Sequence, residues 1–308
     1  MTSDIFANSS VDLVIFTVVN RETLEGSIWA QDLVSYGRYP LGEDDQLSLF
    51  VLTVAPDVTK YPHLKGKRIL PTGPVLMSKN LRESARAVAA EKLGLNLKGK
   101  LRQLGVIDDV DRPNHPERQI SFAFWAMVDF QQVRKYLGGK DQVGLELVNS
   151  YSYMNNFHYL KYEISDFDGV CRFGNRLMPY SNPKIGHRKT TTVNLPEGRI
   201  LGFDHDEMVF YAWRAMRHAF DGKFDPFNEL GINPLGGEFR LSELQEFQEV
   251  CRGEFIQRDL FRRMMTNNQD NFYIKQIDKT DRSKPGKPAR LYSPAQFEPN
   301  PDSSDFEF

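Results

Sequence analysis

The run Val11 to Val19, VDLVIFTVV, narrows the folding options more than any other stretch of the chain. It is continuously β-branched and aromatic, too short for an ordinary core helix, and followed by polar NRETLEG, so it reads as a buried strand. Similar runs are LSLFVLTVA, Leu47 to Ala55, and ISFAFWAMVDF, Ile120 to Phe130. A helix is legible between them. LPTGP at Leu70 to Pro74 breaks the chain. Asn80 then serves as N-cap with Glu83 three residues on, a capping-box arrangement, and Gly94 closes the helix. Leu81, Ala85, Val88 and Ala89 form its apolar stripe. Strand, strand, helix, strand at these lengths predicts an α/β domain with helices packed on a mixed sheet.

Length and composition remove several other classes. At 308 residues the chain is expected to form about two domains. Its 26% charged and 40% hydrophobic content, with a mean hydropathy of -0.48, is that of a soluble globular protein. No apolar run approaches the ~20 residues of a bilayer span. MTSDIFANSS lacks a basic n-region and an apolar h-region, so a cytoplasmic protein with no membrane partner is expected. Cys171 and Cys251 lie far apart without spaced His or Cys neighbours, which predicts reduced thiols rather than a disulfide framework or zinc cluster. The six His residues are scattered, and no GxSxG, P-loop, GxGxxG or HExxH arrangement occurs.

Residues 131–198 mix a short helix near VRKYL, aromatic YSYMNNFHYLKYEI, and a polar Gly/Pro/Asn stretch from Pro183 to Pro196, and read as an elaboration of the first domain. Phe203 to Phe220 is an amphipathic helix with acids first and Arg/His last, matching the helix dipole; Met208, Tyr211 and Ala215 could pack across a dimer or against the first domain. Breaker-rich DGKFDPFNELGINPLGG follows. EFRL then predicts a short strand, and Ser242 an N-cap with Gln245 at N3 for a helix whose Leu244, Phe247 and Cys251 share a face. After RGE comes a second helix, Ile256 to about Asn267, with Leu260, Phe261 and Met264 as its apolar side. FYIKQID and ARLYS are strands joined by basic KTDRSKPGKP. This order is that of a winged helix-turn-helix, whose second helix enters the DNA major groove. The expected organisation is therefore 1–200 as the α/β domain (131–198 its elaboration), 201–237 as linker helix and hinge, 238–293 as winged helix-turn-helix, and 294–308 as a mobile tail.

Charge singles out the same C-terminal module. The chain carries a formal charge of -2, yet Arg252 to Arg290 holds about twice as many basic as acidic residues. Arg258 and Arg262, four apart, share a helix face away from Leu260 and Met264, where groove-facing residues belong. The candidate DNA-binding set is Gln257, Arg258, Arg262, Arg263 and Thr266 on the helix, with Lys284, Lys287 and Arg290 in or beside the wing, suited to phosphate or minor-groove contact. Any one of these alone also fits an ordinary solvated charge; the helix-plus-wing pattern points to a polyanion.

LPTGPVLMSKNLRESARAVAAEKLGL, Leu70 to Leu95, resembles a Nudix box in loop, helix and closing Gly-Leu. Gly73, Gly94 and Leu95 hold their places. Lys79 stands where the first Glu belongs, Ala87 and Val88 replace the Arg-Glu pair, and Lys92 replaces the second Glu of the last pair. Only Glu91 remains. Positions 88, 91 and 92 share a helix face on which three carboxylates could hold Mg²⁺ against a pyrophosphate. Val88 and Lys92 cannot, and Glu91 beside an ammonium favours an ion pair. No catalytic residue, metal site or cofactor is therefore expected. Fixed Lys and Arg can still complement phosphates directly, which makes Lys79, Arg82, Arg86, Glu91, Lys92, Arg112 and Arg118 the candidate effector-binding set; a solvated charged helix face is the competing reading.

GFDHDEMV from Gly202, EFRLSELQ, GEFIQRDLFRRMM and GKPARLY, in that order, resemble the linker helix and winged helix of the NrtR family of Nudix-related regulators of NAD metabolism. With LRQLGVIDDVDRP and ISFAFWAMV, the resemblance covers about Val11 to Phe130 and Arg199 to Ser293. It implies a Nudix-like α/β/α sandwich with a mixed sheet (α/β, α+β) followed by a winged helix-turn-helix domain. It further implies a homodimeric repressor of NAD-synthesis genes that binds double-stranded operator DNA and senses a nucleotide effector such as ADP-ribose or ATP. A role for His205 in coupling the domains is conceivable on the same ground. The alternatives are a sugar- or sugar-phosphate-responsive regulator of this architecture, and an active Nudix pyrophosphohydrolase with an accessory basic domain.

Overall fold

The computed structural model describes residues 9–20, 47–97, 100–108, 119–133, 144–147, 164–165, 170–173, 176–179, 201–221, 226–235, 237–252, 256–266, 273–283 and 288–295. Its central strand is β1 (Ser9–Asn20). Along one edge β1 pairs in parallel with β5 (Ile120–Met127), from Ser9 opposite Ile120 to Phe16 opposite Met127. Along the other it pairs antiparallel with β2 (Leu47–Thr53) through Phe16 to Asn20, and with β3 (Thr72–Pro74) through Ser10 to Asp12. β4 (Arg102–Ile107) extends the sheet beyond β5, and β6 (Gly144–Leu147) beyond β2.

Alternation along β1 explains its continuous apolar run. Val14 and Phe16 join Leu49, Val51, Ala123, Trp125 and Met127 on one face of the sheet. Val11, Leu13 and Ile15 join Leu52, Phe124 and Ala126 on the other. A strand buried on both faces carries no polar alternation. The second face is covered by helix α1 (Leu81–Leu93) through Ala85, Val88, Ala89 and Leu93. The first is covered by helix α2 (His205–Asp221) through Met208, Val209, Phe210, Ala212, Trp213 and Met216. The expected sandwich is thus present, with α2 as its second outer layer. Tyr211 and Ala215 pack against this same core together with buried Met208. At the start of α1 the Asn80 side chain accepts from the Glu83 N–H and Glu83 Oε2 from the Asn80 N–H, both at 2.9 Å; Gly94 ends the helix in the left-handed region at φ 66°.

Residues 131–198 lie mostly outside the described set, as does the tail from 296. The described part places β6 on the main sheet and forms a separate antiparallel sheet of β7 (Ile164–Ser165), β8 (Val170–Phe173) and β9 (Arg176–Pro179). β5 ends short of Phe130, where a helical turn, Phe130–Val133, begins; Asp129 Oδ1 accepts from the Gln131 N–H at 2.9 Å. Of the helix expected near VRKYL, only Val133 is described.

The C-terminal half continues with α3 (Pro226–Leu230), β10 (Phe239–Arg240), α4 (Leu241–Arg252), α5 (Arg258–Thr266), β11 (Ile274–Asp281) and β12 (Ala289–Pro294), its strands ordered β10-β12-β11. Four expectations need correction. α5 starts at Arg258 rather than Ile256, so Gln257 precedes the helix. α2 starts at His205 rather than Phe203, because Phe203 sits at φ 58°, outside the right-handed helical region. α4 starts at Leu241, which makes Ser242 a first-turn residue and not the N-cap; the cap is Arg240, whose backbone N–H donates to Glu243 Oε2 at 2.7 Å. The inward side of α5 is Phe261 and Met265, whereas Leu260 and Met264 are 46% and 51% exposed.

The core does not stop at the sheet. Leu244, Phe247, Val250 and Cys251 of α4, with Phe261 and Met265 of α5, belong to the same buried cluster as the first face of the sheet, bridged by α2. Trp213 Nε1 donates to the Cys251 carbonyl at 2.9 Å, Phe220 stacks edge-on to Phe247, and the Leu47 N–H donates to Glu246 Oε1 at 2.6 Å. Trp213→Ala should therefore cost about 3–5 kcal/mol of stability, with Trp213→Phe costing less. Urea unfolding followed by circular dichroism checks this; an alanine variant as stable as wild type would mean that the shared core carries little of the stability.

Candidate functional site

The loop and helix of the degenerate box are held as a rigid unit. A Cβ at Gly73 would lie 2.7 Å from Val88 Cγ2, so the loop reaches the helix only because position 73 has no side chain. Buried Ser84 Oγ accepts from the Leu76 N–H at 3.1 Å, and Pro71 O accepts from the Leu13 N–H at 3.0 Å, which fixes the loop to α1 and β1. Val88 is 3% exposed and packs inward. Lys92 Nζ lies 2.7 Å from Glu91 Oε1, the expected ion pair. A divalent cation does not fit this donor set: one carboxylate is engaged by an ammonium, and its helix-face neighbour at 88 is core. Among the described residues no group of three or more His, Cys, Asp or Glu side chains is placed to hold a metal.

The candidate effector residues do not all converge. At about 100° per residue, Arg82 and Arg86 share one flank of α1, while positions 88, 91 and 92 occupy another. Lys79 is exposed in the turn before the helix. Arg112 and Arg118 lie outside the described residues.

A polar junction, of which the sequence pointed only to His205, lies where α2 meets the sheet. His205 and Asp12 are 1% and 2% exposed. His205 Nδ1 accepts from the Leu70 N–H at 2.8 Å, which places the ring proton on Nε2, 3.8 Å from Asp12 Oδ1. Ser10 Oγ donates to Asp12 Oδ2 at 3.1 Å and lies 3.0 Å from Ser121 Oγ. The available signal was Asp12 itself, a charge inside an otherwise apolar strand. The junction links the first residue of the box to the first residue of α2.

In the winged helix, a polar clamp ties α4 to Ile256 just ahead of α5. Gln245 Nε2 donates to Glu249 Oε1 at 3.0 Å and to the Ile256 carbonyl at 2.9 Å, and Glu249 Oε1 accepts from the Ile256 N–H at 2.8 Å. Phe261 and Met265 then anchor α5, and the Tyr273 hydroxyl lies 3.0 Å from Met265 Sδ. That anchoring leaves Gln257, Arg258, Arg262, Arg263 and Thr266 exposed together. Thr266 Oγ1 donates to the Arg262 carbonyl at 2.8 Å, and Arg263 Nε to the Asp259 carbonyl at 3.3 Å. On the wing, Arg290 is exposed and donates to Gln276 Oε1 across the hairpin at 3.1 Å, near an irregularity between Gln276 and Thr280. Lys275, Lys279 and Arg282 are exposed on the same hairpin, Lys279 paired with Glu238. Lys284 and Lys287 lie outside the described residues. Arg240 is bound to Asp281, which ties the start of α4 to the wing.

A two-faced α/β/α sandwich carrying a Nudix-like loop and helix is thus followed by a winged helix with an exposed basic second helix. Residues 231–293 match the NrtR DNA-binding winged helix domain. NrtR of Shewanella oneidensis complexed with a 27mer DNA shares the fold at 19% identity and TM-score 0.54, over 95% of this chain and 94% of that one. A second structure of Shewanella oneidensis NrtR is similar at 18% identity and TM-score 0.53, over 96% of both chains. A MutT/nudix family protein from Enterococcus faecalis is similar at 16% identity and TM-score 0.52, over 94% of this chain and 88% of that one. The chain is NrtR-like in architecture: a Nudix-like domain followed by an NrtR-type winged helix.

The Ser283 backbone N–H first, then the Arg240 guanidinium, hold the Asp281 carboxyl below the usual carboxylate value. A depressed folded-state pKa stabilises above the unfolded value and loses that effect as pH falls through the folded one. Carboxyl NMR titration should therefore give Asp281 a midpoint below that of ordinary aspartates. Arg240→Gln should raise it only partway, since the Ser283 contact persists. A full return to the ordinary value would make the Arg240 contact the sole cause.

Proposed function

We propose that this chain is a cytoplasmic, homodimeric transcriptional repressor of NAD-biosynthesis genes, binding duplex operator DNA through α5 and the wing and sensing a nucleotide such as ADP-ribose or ATP without hydrolysing it. The observation that carries the reading is the exposed cationic face of α5 within a segment matching the NrtR DNA-binding winged helix domain. The Shewanella oneidensis protein of this fold was crystallised with DNA. A single winged helix buries little surface, and two copies on paired half-sites supply a second set of contacts. Arg258, Arg262, Arg263, Gln257 and Thr266 face the groove in this reading, and Lys284, Lys287 and Arg290 the backbone.

Mobility shifts at several salt concentrations test it. Affinity should fall steeply as salt rises. Arg258→Ala or Arg262→Ala should weaken specific binding by about 1–3 kcal/mol where that residue reads a base, and Lys284→Ala should weaken all sequences evenly. Operator binding unchanged in the Arg258/Arg262 double variant would remove the assignment of α5.

In this reading the effector binds in the Nudix-like domain through a subset of the candidate cations, with Arg82 and Arg86 on one flank of α1 or Lys92 on the other as its phosphate partners. It can act only through different affinities for DNA-competent and DNA-incompetent states, and the junction at Leu70, His205 and Asp12 supplies a route from the box to α2. ADP-ribose, ATP or NAD should bind by calorimetry and change operator affinity, while ADP-ribose with Mg²⁺ or Mn²⁺ stays intact. Turnover abolished by Glu91→Gln would restore the hydrolase reading, and failure of all three nucleotides to bind below about millimolar would favour a sugar-type effector.

A further inference from the structure

The second helix of the winged helix exposes more than cations. α5 holds apolar residues at 260, 261, 264 and 265, which form pairs four residues apart, displaced by one position. Phe261 and Met265 are spent on the core, at 2% and 7% exposure. Leu260 and Met264 stand outside, at 46% and 51%. Among the described residues the large exposed hydrophobics are these and Val58, Met77 and Val106, so this turn of α5 is the one place where two lie one helical turn apart.

At about 100° per residue, the outward surface of α5 runs in order around the helix. Leu260 and Met264 form one flank, Arg263, Asp259 and Thr266 the crest, and Arg262 and Arg258 the other flank. About half of each of Leu260 and Met264 is left facing water, where apolar area is not stabilising. A protein partner that buried this flank would also desolvate the arginines beside it, at a cost that needs matching carboxylates. The DNA major groove meets both flanks at once. Its rims carry phosphates, and its floor presents guanine acceptors for Arg together with one apolar group, the C5-methyl of thymine.

We propose that Leu260 and Met264 form an apolar reading edge that seats against thymine C5-methyl groups in the major groove, and so set a preference for A·T pairs at those operator positions. This rests on the DNA-binding reading above, and it adds a specificity that the arginines cannot supply, because Arg selects guanine. Leu260 lies one turn nearer the N-terminus of α5 than Met264, about 6 Å along the axis, so the contacted thymines are neighbours within the same half-site.

The test uses the full chain and duplexes recovered from a random-sequence pool. Each thymine of a bound duplex is replaced singly by deoxyuridine, which lacks the C5-methyl and keeps the same base pairing. Wild type should bind about fourfold more weakly at one or two uracil positions, the size expected for one buried methyl-sized group. The Leu260→Ala/Met264→Ala variant should bind thymine and uracil duplexes equally, retain the salt dependence, and recover a sequence set less rich in A·T at those positions. Wild-type binding insensitive to uracil at every position overturns the proposal and leaves the DNA-binding reading intact. So does uracil sensitivity that survives in the double variant, including the case where that variant instead changes the oligomeric state. Absence of any duplex binding by wild type overturns both.

Discussion

The two halves of this molecule meet on one helix, α2, whose apolar side chains pack against both of them while His218 stays exposed. α2 lays Met208, Val209, Ala212 and Met216 into a core shared with the sheet, while Trp213 and Phe220 engage α4 of the winged helix. Such burial is normally the mark of a helix interior to one domain. Here it makes the outer layer of the α/β/α sandwich and the foundation of the winged helix the same element. Neither half can complete its core without it.

That arrangement makes sense of a box that keeps its skeleton and loses its acids. Gly73, Ser84 and the Asn80–Glu83 capping box hold the loop against α1 and β1. Those contacts shape the surroundings of Leu70, whose N–H is bound by His205 at the head of α2. The geometry is worth keeping for the joint it creates even with a hydrophobic side chain at 88. Val88 in turn fills the space that a glycine at 73 leaves open, so the substitution converts a site of charge into packing.

What could be read in the sequence depended on whether one local pattern allowed one solution. β1 and β5 admit a single reading because no face of either is polar, and the Asn80–Glu83 capping box and Gly94 mark the two ends of α1. α5 admits two. Its apolar residues form Phe261/Met265 and Leu260/Met264, and the helix can turn either pair inward; Tyr273 and the α4 core choose the first, and nothing within Arg258–Thr266 encodes that choice. The start of α4 was displaced for a similar reason. Ser242 is a good cap in isolation, but β10 runs straight into the helix with Arg240 held by Asp281, so Glu243 satisfies the cap instead. The junction of Asp12 and His205 joins residues nearly two hundred positions apart, and no local pattern reports a contact of that range.

For the effector coupling proposed above, the magnitudes favour this junction as the point of transmission. Allosteric coupling between sites is typically about 1–3 kcal/mol. Breaking the buried contacts of α2 with α4 would cost more, since a single large side chain such as Trp213 is worth about 3–5 kcal/mol. α2 and the winged helix must then move together. The bond from the Leu70 N–H to His205 Nδ1 is of the right size, because leaving one buried donor unsatisfied costs about 1–3 kcal/mol. Phe203, held at φ 58° immediately before α2, adds a backbone conformation that the chain would leave readily if its packing against Tyr61 and His205 loosened. A ligand that displaces the loop at Leu70 by an ångström or so would act on both at once, and the cationic face of α5 would turn with α2 as one body.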